Sequence, residues 1–175
     1  MQVSEPDSWR LFATPVFREL NQPRGREAIA SYIDARQLVD PRLCALAAER
    51  RCAADGLALS QALESITAVR RASTGRHRRL RDHRDGDECL REAIARAARN
   101  RYLGETSARL RRHRRDAEWA TEQALVCPTA ASLVEKVTGA ILIGHADHAS
   151  HAAEAEIDLF ESWTWRRLAD LARDS

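Results

Sequence analysis

The stretch from Thr129 to Ala172 limits what this chain can form more than any other. It contains no proline, and its apolar residues recur with an α-helical period, so it reads as one long helix. Pro128 closes whatever precedes it and favours a helix start. Ser132 with Glu135 has capping-box spacing ahead of Leu133 and Val134. At about 100° per residue, Leu133, Val134, Val137, Ile141, Gly144, Ala152, Ala155 and Leu159 share one side of that helix. Leu142, Ala146, Ala149, Ala153, Ile157, Phe160, Leu168 and Leu171 fall roughly opposite. A helix resting on one surface needs one apolar stripe. Two opposed stripes imply neighbours on both sides, whether in this chain or in a second copy.

The stretch upstream is built alike. Asp85 with Glu88 is a capping-box signature, and apolar residues keep the helical period from Asp87 to Val126. Leu90, Ala93, Ile94, Ala97, Gly104 and Ala108 share one face, whereas Leu103, Leu110, Ala117, Thr121 and Ala124 share another. A bend or a change of partner is therefore expected near Gly104. Only Cys127 to Thr129 join the two long helices, which predicts an antiparallel hairpin. Side by side, Arg84 to Arg101 would lie near Glu154 to Asp170.

The first half reads as shorter elements. Residues 1–8 are a polar tail, and Trp9, Phe12, Val16, Phe17 and Leu20, divided by Pro15, form an apolar plug for one end of a bundle. A helix follows from Arg26 to Val39. Asp40-Pro41 restarts the chain as a second helix, which stops at Asp55-Gly56. Leu59, Ala62, Leu63, Ile66 and Val69 mark a third, ending near Ala72. Strand-like runs are missing. The expected fold is all-α: a single domain over residues 1–175, with a short-helix subregion to residue 84 and a long helical hairpin from 85 to 175.

Hydrophobic residues make up 44% of the chain, enough for a core, although alanine supplies much of it. Lys136 is the only lysine among 28 basic residues. GC-rich coding accounts for such a bias, so arginine abundance by itself says little about nucleic acids. Its placement says more: the net charge is −1 up to Val69, +7 from Arg70 to Val126 and −4 beyond. Nothing at the start resembles a signal peptide, and Gly139 to Gly144 is far shorter than the roughly 20 apolar residues of a membrane span. A cytoplasmic protein without a membrane span is expected. Cys44, Cys52, Cys89 and Cys127 include no Cys-x-x-Cys pair and read as thiols; Cys127, at a turn beside Pro128, is the one placed for reactivity.

Three sets of residues carry candidate chemistry. His145, His148 and His151 recur at three-residue steps, and His151-x-x-Glu154 adds a carboxylate, so these four are candidate metal ligands. The wheel drawn through the whole helix puts His148 near the centre of the first apolar stripe, hence buried and neutral. The two-sided helix and its aromatic end make Val137, Ile141, Gly144, Leu159, Phe160, Trp163 and Trp165 candidate interface residues. Arg70, Arg71, Arg76, Arg78, Arg79, Arg81 and Arg84, with Arg111, Arg112, Arg114 and Arg115, are candidate polyanion contacts. No aromatic residue interrupts the first run to stack on bases.

No Gly-rich phosphate loop, nucleophile elbow or zinc-finger spacing is present, and no catalytic residue or cofactor follows from the sequence. The leading expectation is a helical interaction or scaffold protein that self-associates, or docks a protein partner, through the hairpin. Nucleic-acid or other polyanion binding through the arginine runs is the second. A metal- or cofactor-dependent helical enzyme built on the three histidines is the third.

Overall fold

The structure, a computed structural model, describes residues 23–72, 75–114 and 118–173. The Trp9 to Leu20 segment expected to plug the bundle lies outside those residues. The described residues form an all-α bundle of seven helices: α1 (Pro23–Arg50), α2 (Ala53–Arg71), α3 (Arg76–Ala97), α4 (Arg101–Arg114), α5 (Glu118–Val126), α6 (Pro128–Ile143) and α7 (Ala146–Arg173). The longest seam runs between α1 and α7. Helix α2 packs on α3, α7 folds back on α6, and α1 also touches α3, α4 and α6.

The expected restart at Asp40-Pro41 does not occur; α1 runs straight through Pro41. A proline inside a helix lacks its amide donor and costs about 3 kcal/mol. Packing on both sides outweighs that cost. Ile29, Tyr32 and Ile33 before it, and Leu43, Cys44, Leu46 and Ala47 after it, are all buried.

Both long helices are divided. The upstream one breaks at Arg99, whose φ of 51° is the only positive value at a non-glycine residue among those described. Asn100 then caps α4, its Oδ1 accepting the amide of Leu103 at 3.1 Å. The break thus falls five residues before Gly104, which sits inside α4. The final stretch breaks at Gly144, where φ is 84°. The amide of His145 bonds back to the Ala140 carbonyl at 2.9 Å and that of Gly144 to Ile141 at 3.1 Å, a glycine C-terminal cap.

That break explains the two opposed stripes. On α6 the buried residues include Leu133, Val137 and Ile141; on α7 they are Ala149, Ala153, Ile157, Phe160, Thr164 and Leu168. The buried residues of the first stripe all lie on α6 and those of the second all lie on α7, and the turn at Gly144 sets each face against its own neighbours in the bundle.

The core has two parts. One gathers Leu43, Leu46, Leu59, Ile66, Leu90, Ile94, Val137 and Ile141 with alanines of α3 and α7. The other gathers Ile29, Tyr32, Ile33, Leu110, Ala120, Ile157, Phe160 and Leu168. Among the described residues no single helix is long and apolar enough to cross a membrane. The segments Ala120–Val126 and Pro128–Ile143 reach that length and composition only together, bent by 84°.

Candidate functional site

Along α1, Arg36 and Asp40 lie between the apolar residues of one core cluster and those of the other, and both are buried. Arg36 Nε donates to Asp40 Oδ2 at 2.9 Å, and its guanidinium carbon lies 5.6 Å from the centre of the Phe160 ring. The Ser107 hydroxyl donates to Asp40 Oδ1 at 2.7 Å, and Arg111 Nη1 donates to the Ser107 oxygen at 2.9 Å. Arg111 also faces Glu88 at 3.6 Å. On α3, Arg91 reaches Asp87 at 3.4 Å and donates to Glu156 of α7. Four helices, α1, α3, α4 and α7, are thereby tied through paired charges at the waist of the bundle.

Burial opposes each of these charges, and the partners decide the outcome. For Asp40, burial pushes the carboxyl up, but the charge of Arg36 and the Ser107 hydrogen bond outweigh it and hold the group below the usual carboxylate range. Burial also works against the Arg36 and Arg91 cations. The carboxylates around them overcome it, Asp40 and Glu156 for Arg36 and Glu156 and Asp87 for Arg91, so both stay charged. Cys44 beside this network has its thiol pushed up by burial to about 12 and is chemically inert at neutral pH.

A cavity of about 30 Å³ adjoins the network, walled by Ile66, Ala120, Ala124, Ala130, Val134, Leu159, Phe160 and Trp163. Its polar lining is Arg70, His83, Asp87 and Glu156. The alanines of α5 and α6 leave the space, because nothing larger fills the angle those helices make with α7. Arg70 is held in place by bonds from Nη1 to the Cys127 carbonyl, 3.2 Å, and from Nη2 to the Ala124 carbonyl, 2.6 Å, which cap the end of α5. Among the described residues, the buried Nε of Arg70 and Oε2 of Glu156 have no hydrogen-bond partner. Both residues are among those that line this small, mostly apolar space. The chain matches no protein-family model and no curated protein. Geometry alone carries the functional argument.

A second depression, about 390 Å³, lies outside the bundle and is lined by Glu122 and Gln123 of α5 and by Trp163, Arg166, Arg167 and Asp170 of α7. Glu122 pairs with Arg76 and Asp170 with Arg173, whereas Arg166 and Arg167 pair with no carboxylate among the described residues.

The expected metal ligands are not brought together. His145, His148 and His151 are exposed, and the rings of His145 and His148 lie 5.2 Å apart. Glu154 instead accepts the Ser150 hydroxyl at 3.3 Å. Among the described residues no group of three or more His, Cys, Asp or Glu side chains could hold a metal ion. The burial expected for His148 fails because the break at Gly144 resets the angular count on which it rested.

Of the residues assigned to an interface, Val137, Ile141 and Phe160 are buried within the chain, Leu159, Trp163 and Trp165 are half-buried, and Gly144 is exposed at the cap. The Trp165 indole donates to Glu161 at 2.9 Å. The arginine set divides similarly. Arg70 and Arg111 serve the interior as described, Arg79 and Arg84 are half-buried, and Arg71, Arg76, Arg78, Arg81 and Arg112 are exposed. Arg76 pairs with Glu122 and Arg78 with Asp82, while the side chain of Arg114 and all of Arg115 lie outside the described residues. The expected neighbouring of Arg84–Arg101 and Glu154–Asp170 is realised by Arg91 with Glu156.

All four cysteines are free thiols. Cys127 is half-buried and precedes α6, its carbonyl engaged by Arg70. Cys52 is the more exposed thiol. It caps α2, with Asp55 Oδ2 at 3.1 Å and Arg99 Nη2 at 3.4 Å from its sulfur. Sequence reasoning missed the waist network and the cavity. Their one visible sign was the set of charged residues, Arg36, Asp40 and Arg91, at otherwise apolar helical positions.

Proposed function

We propose that this chain is a helical binding domain that takes a small neutral molecule, with a hydrogen-bonding head and a short apolar body, into the cavity between α2, α3, α5, α6 and α7. The observation that carries the reading is a mostly apolar cavity whose polar lining, Arg70, His83, Asp87 and Glu156, includes two residues with a buried atom that has no hydrogen-bond partner among the described residues, Arg70 Nε and Glu156 Oε2. Small-molecule sites have this composition: a mostly apolar lining with a few polar groups that orient the ligand.

The chemistry of the head follows. A carboxamide or a hydroxyl carries both the acceptor that suits Arg70 and the donor that suits Glu156. A further charge would enter a place where Glu156 and Asp87 are already matched by Arg91, and burying it unpaired would be costly. Size follows as well. A space of about 30 Å³ is on the scale of a water or two, so the ligand is a molecule of very few heavy atoms, its apolar part lying against Val134, Leu159 and Trp163. Self-association through the hairpin would draw on Val137, Ile141 and Phe160, which the chain uses in its own core. The cavity is therefore the better-supported site.

The test is thermal unfolding in the presence of short primary amides and alcohols. A ligand at 100 times its Kd stabilises by about 2.7 kcal/mol, which raises Tm by roughly 5–10 °C in a chain of this size. Ala130→Leu fills the cavity and should abolish the rise while keeping the helical spectrum. A flat Tm across the series, or an equal rise in the filled variant, refutes the proposal.

A further inference from the structure

We infer that the outer α5–α7 groove is the port of the interior cavity and that Trp163 is the gate between them. The inference rests on the reading of the cavity as a binding site, but its geometry is separate. Trp163 is the one side chain common to the linings of the cavity and the groove. Along α7 the order is stepwise: Leu159 and Phe160 line the inside, Trp163 comes one turn later, and Arg166 and Arg167 one turn further line the outside. Helix α5 divides in the same way, with Ala120 and Ala124 facing the cavity and Glu122 and Gln123 facing the groove. The two spaces lie on either side of one seam, and an indole stands in it.

The neighbouring walls are held more firmly than the indole. Arg70 is fixed by two bonds to the end of α5, and Glu156 is held by Arg91. The Trp165 ring N–H is bonded to Glu161, whereas that of Trp163 has no partner among the described residues. Rotation of the half-buried Trp163 side chain therefore breaks no hydrogen bond. A ligand that enters by this route passes Arg166, bonded only to Ser162 among the described residues, and Arg167 first.

Thiol labelling tests the gate without knowledge of the ligand. In a background of Cys44→Ala, Cys52→Ser, Cys89→Ser and Cys127→Ser, Ala120→Cys reports from the buried wall of the cavity and Gln123→Cys from the groove. Each is reacted with a methyl and with a bulky aryl methanethiosulfonate, and helicity is matched by circular dichroism. Trp163→Ala should raise the aryl rate at residue 120 at least tenfold and leave the rate at residue 123 unchanged. Trp163→Phe, which keeps a ring, should give a smaller rise, and it serves as the test if the alanine variant loses helicity. Labelling at residue 120 that ignores residue 163 overturns the gate while cavity binding, judged by the thermal shifts, still stands. Equal acceleration at residues 120 and 123 shows general loosening and also overturns it.

Discussion

Replacing Arg91 by methionine removes the cation that bridges α3 and α7 at the waist, and its cost can be worked from the surroundings. The Arg91 side chain is 8% exposed and that of its partner Glu156 is 13% exposed. Breaking a buried pair by removing one member costs about 3–5 kcal/mol, because the remaining charge stays desolvated. Against a typical total of about 5–15 kcal/mol, this is a large fraction, equivalent to roughly 6–20 °C in Tm. Glu156→Met should cost a similar amount for the same reason. The double variant Arg91→Met/Glu156→Met leaves neither charge of that pair. Asp87, whose side chain is 16% exposed, retains a route to water. The double variant should therefore lie above either single one, within about 2 kcal/mol of the parent. Urea unfolding followed at 222 nm gives all four corners of the cycle. If the two single costs simply add in the double variant, the charges are not coupled, and the waist network is not what joins α3 to α7.

Asp40→Asn tests the sign of the pH dependence. A carboxyl held below its ordinary value adds stability that is complete above about pH 4 and is lost as the pH falls through its folded value. The stability gap between parent and variant should therefore be wide at pH 7 and shrink progressively as the pH falls below about 4, as read from urea midpoints; a constant gap contradicts the assignment. Two glycines should respond oppositely. Gly139 lies within α6 with open space where a Cβ would go, so Gly139→Ala should stabilise by about 0.5–1 kcal/mol. Gly144, at φ 84° with Arg51 Nη1 3.1 Å from the site of a Cβ, should lose about 1–2 kcal/mol as alanine. Thermal melts of both variants decide this. In native protein a chromogenic disulfide should react quickly with Cys52 and Cys89 and more slowly with Cys127. Cys44 should react only after unfolding, since it is buried and its thiol is pushed up to about 12; rapid reaction of all four would show that the core breathes.

Local patterns along the chain were sufficient for the all-α class, for the buried faces of α2 and α6, and for the Pro128 start. Helical periodicity and turn residues act over a few positions, and each leaves its mark in the residues themselves. Several boundaries went differently: the stop expected at Asp55-Gly56 lies inside α2 and the start expected at Asp85 lies inside α3, and two others show why. Pro41 carries a strong stop signal, yet Ile33, Leu43 and Leu46 gain more from one continuous seam with the rest of the bundle than the proline costs. Gly144 carries a mild signal, yet it ends a helix because a left-handed residue there lets α7 return onto α6. The histidines show the consequence for function. Their phase relative to Val137 and Ile141 means nothing across a break, so all three face solvent.

What the amino-acid order determined alone was therefore the kind of element and the side each one wishes to bury. Which arginines became interior partners was decided only when distant helices met. Arg91 finds Glu156 across 65 positions and Ser107 finds Asp40 across 67, separations over which no local pattern carries information. The cavity arises in the same way, from small residues of α5 and α6 placed opposite α7. A gap is a property of several helices at once, and no single one of them encodes it.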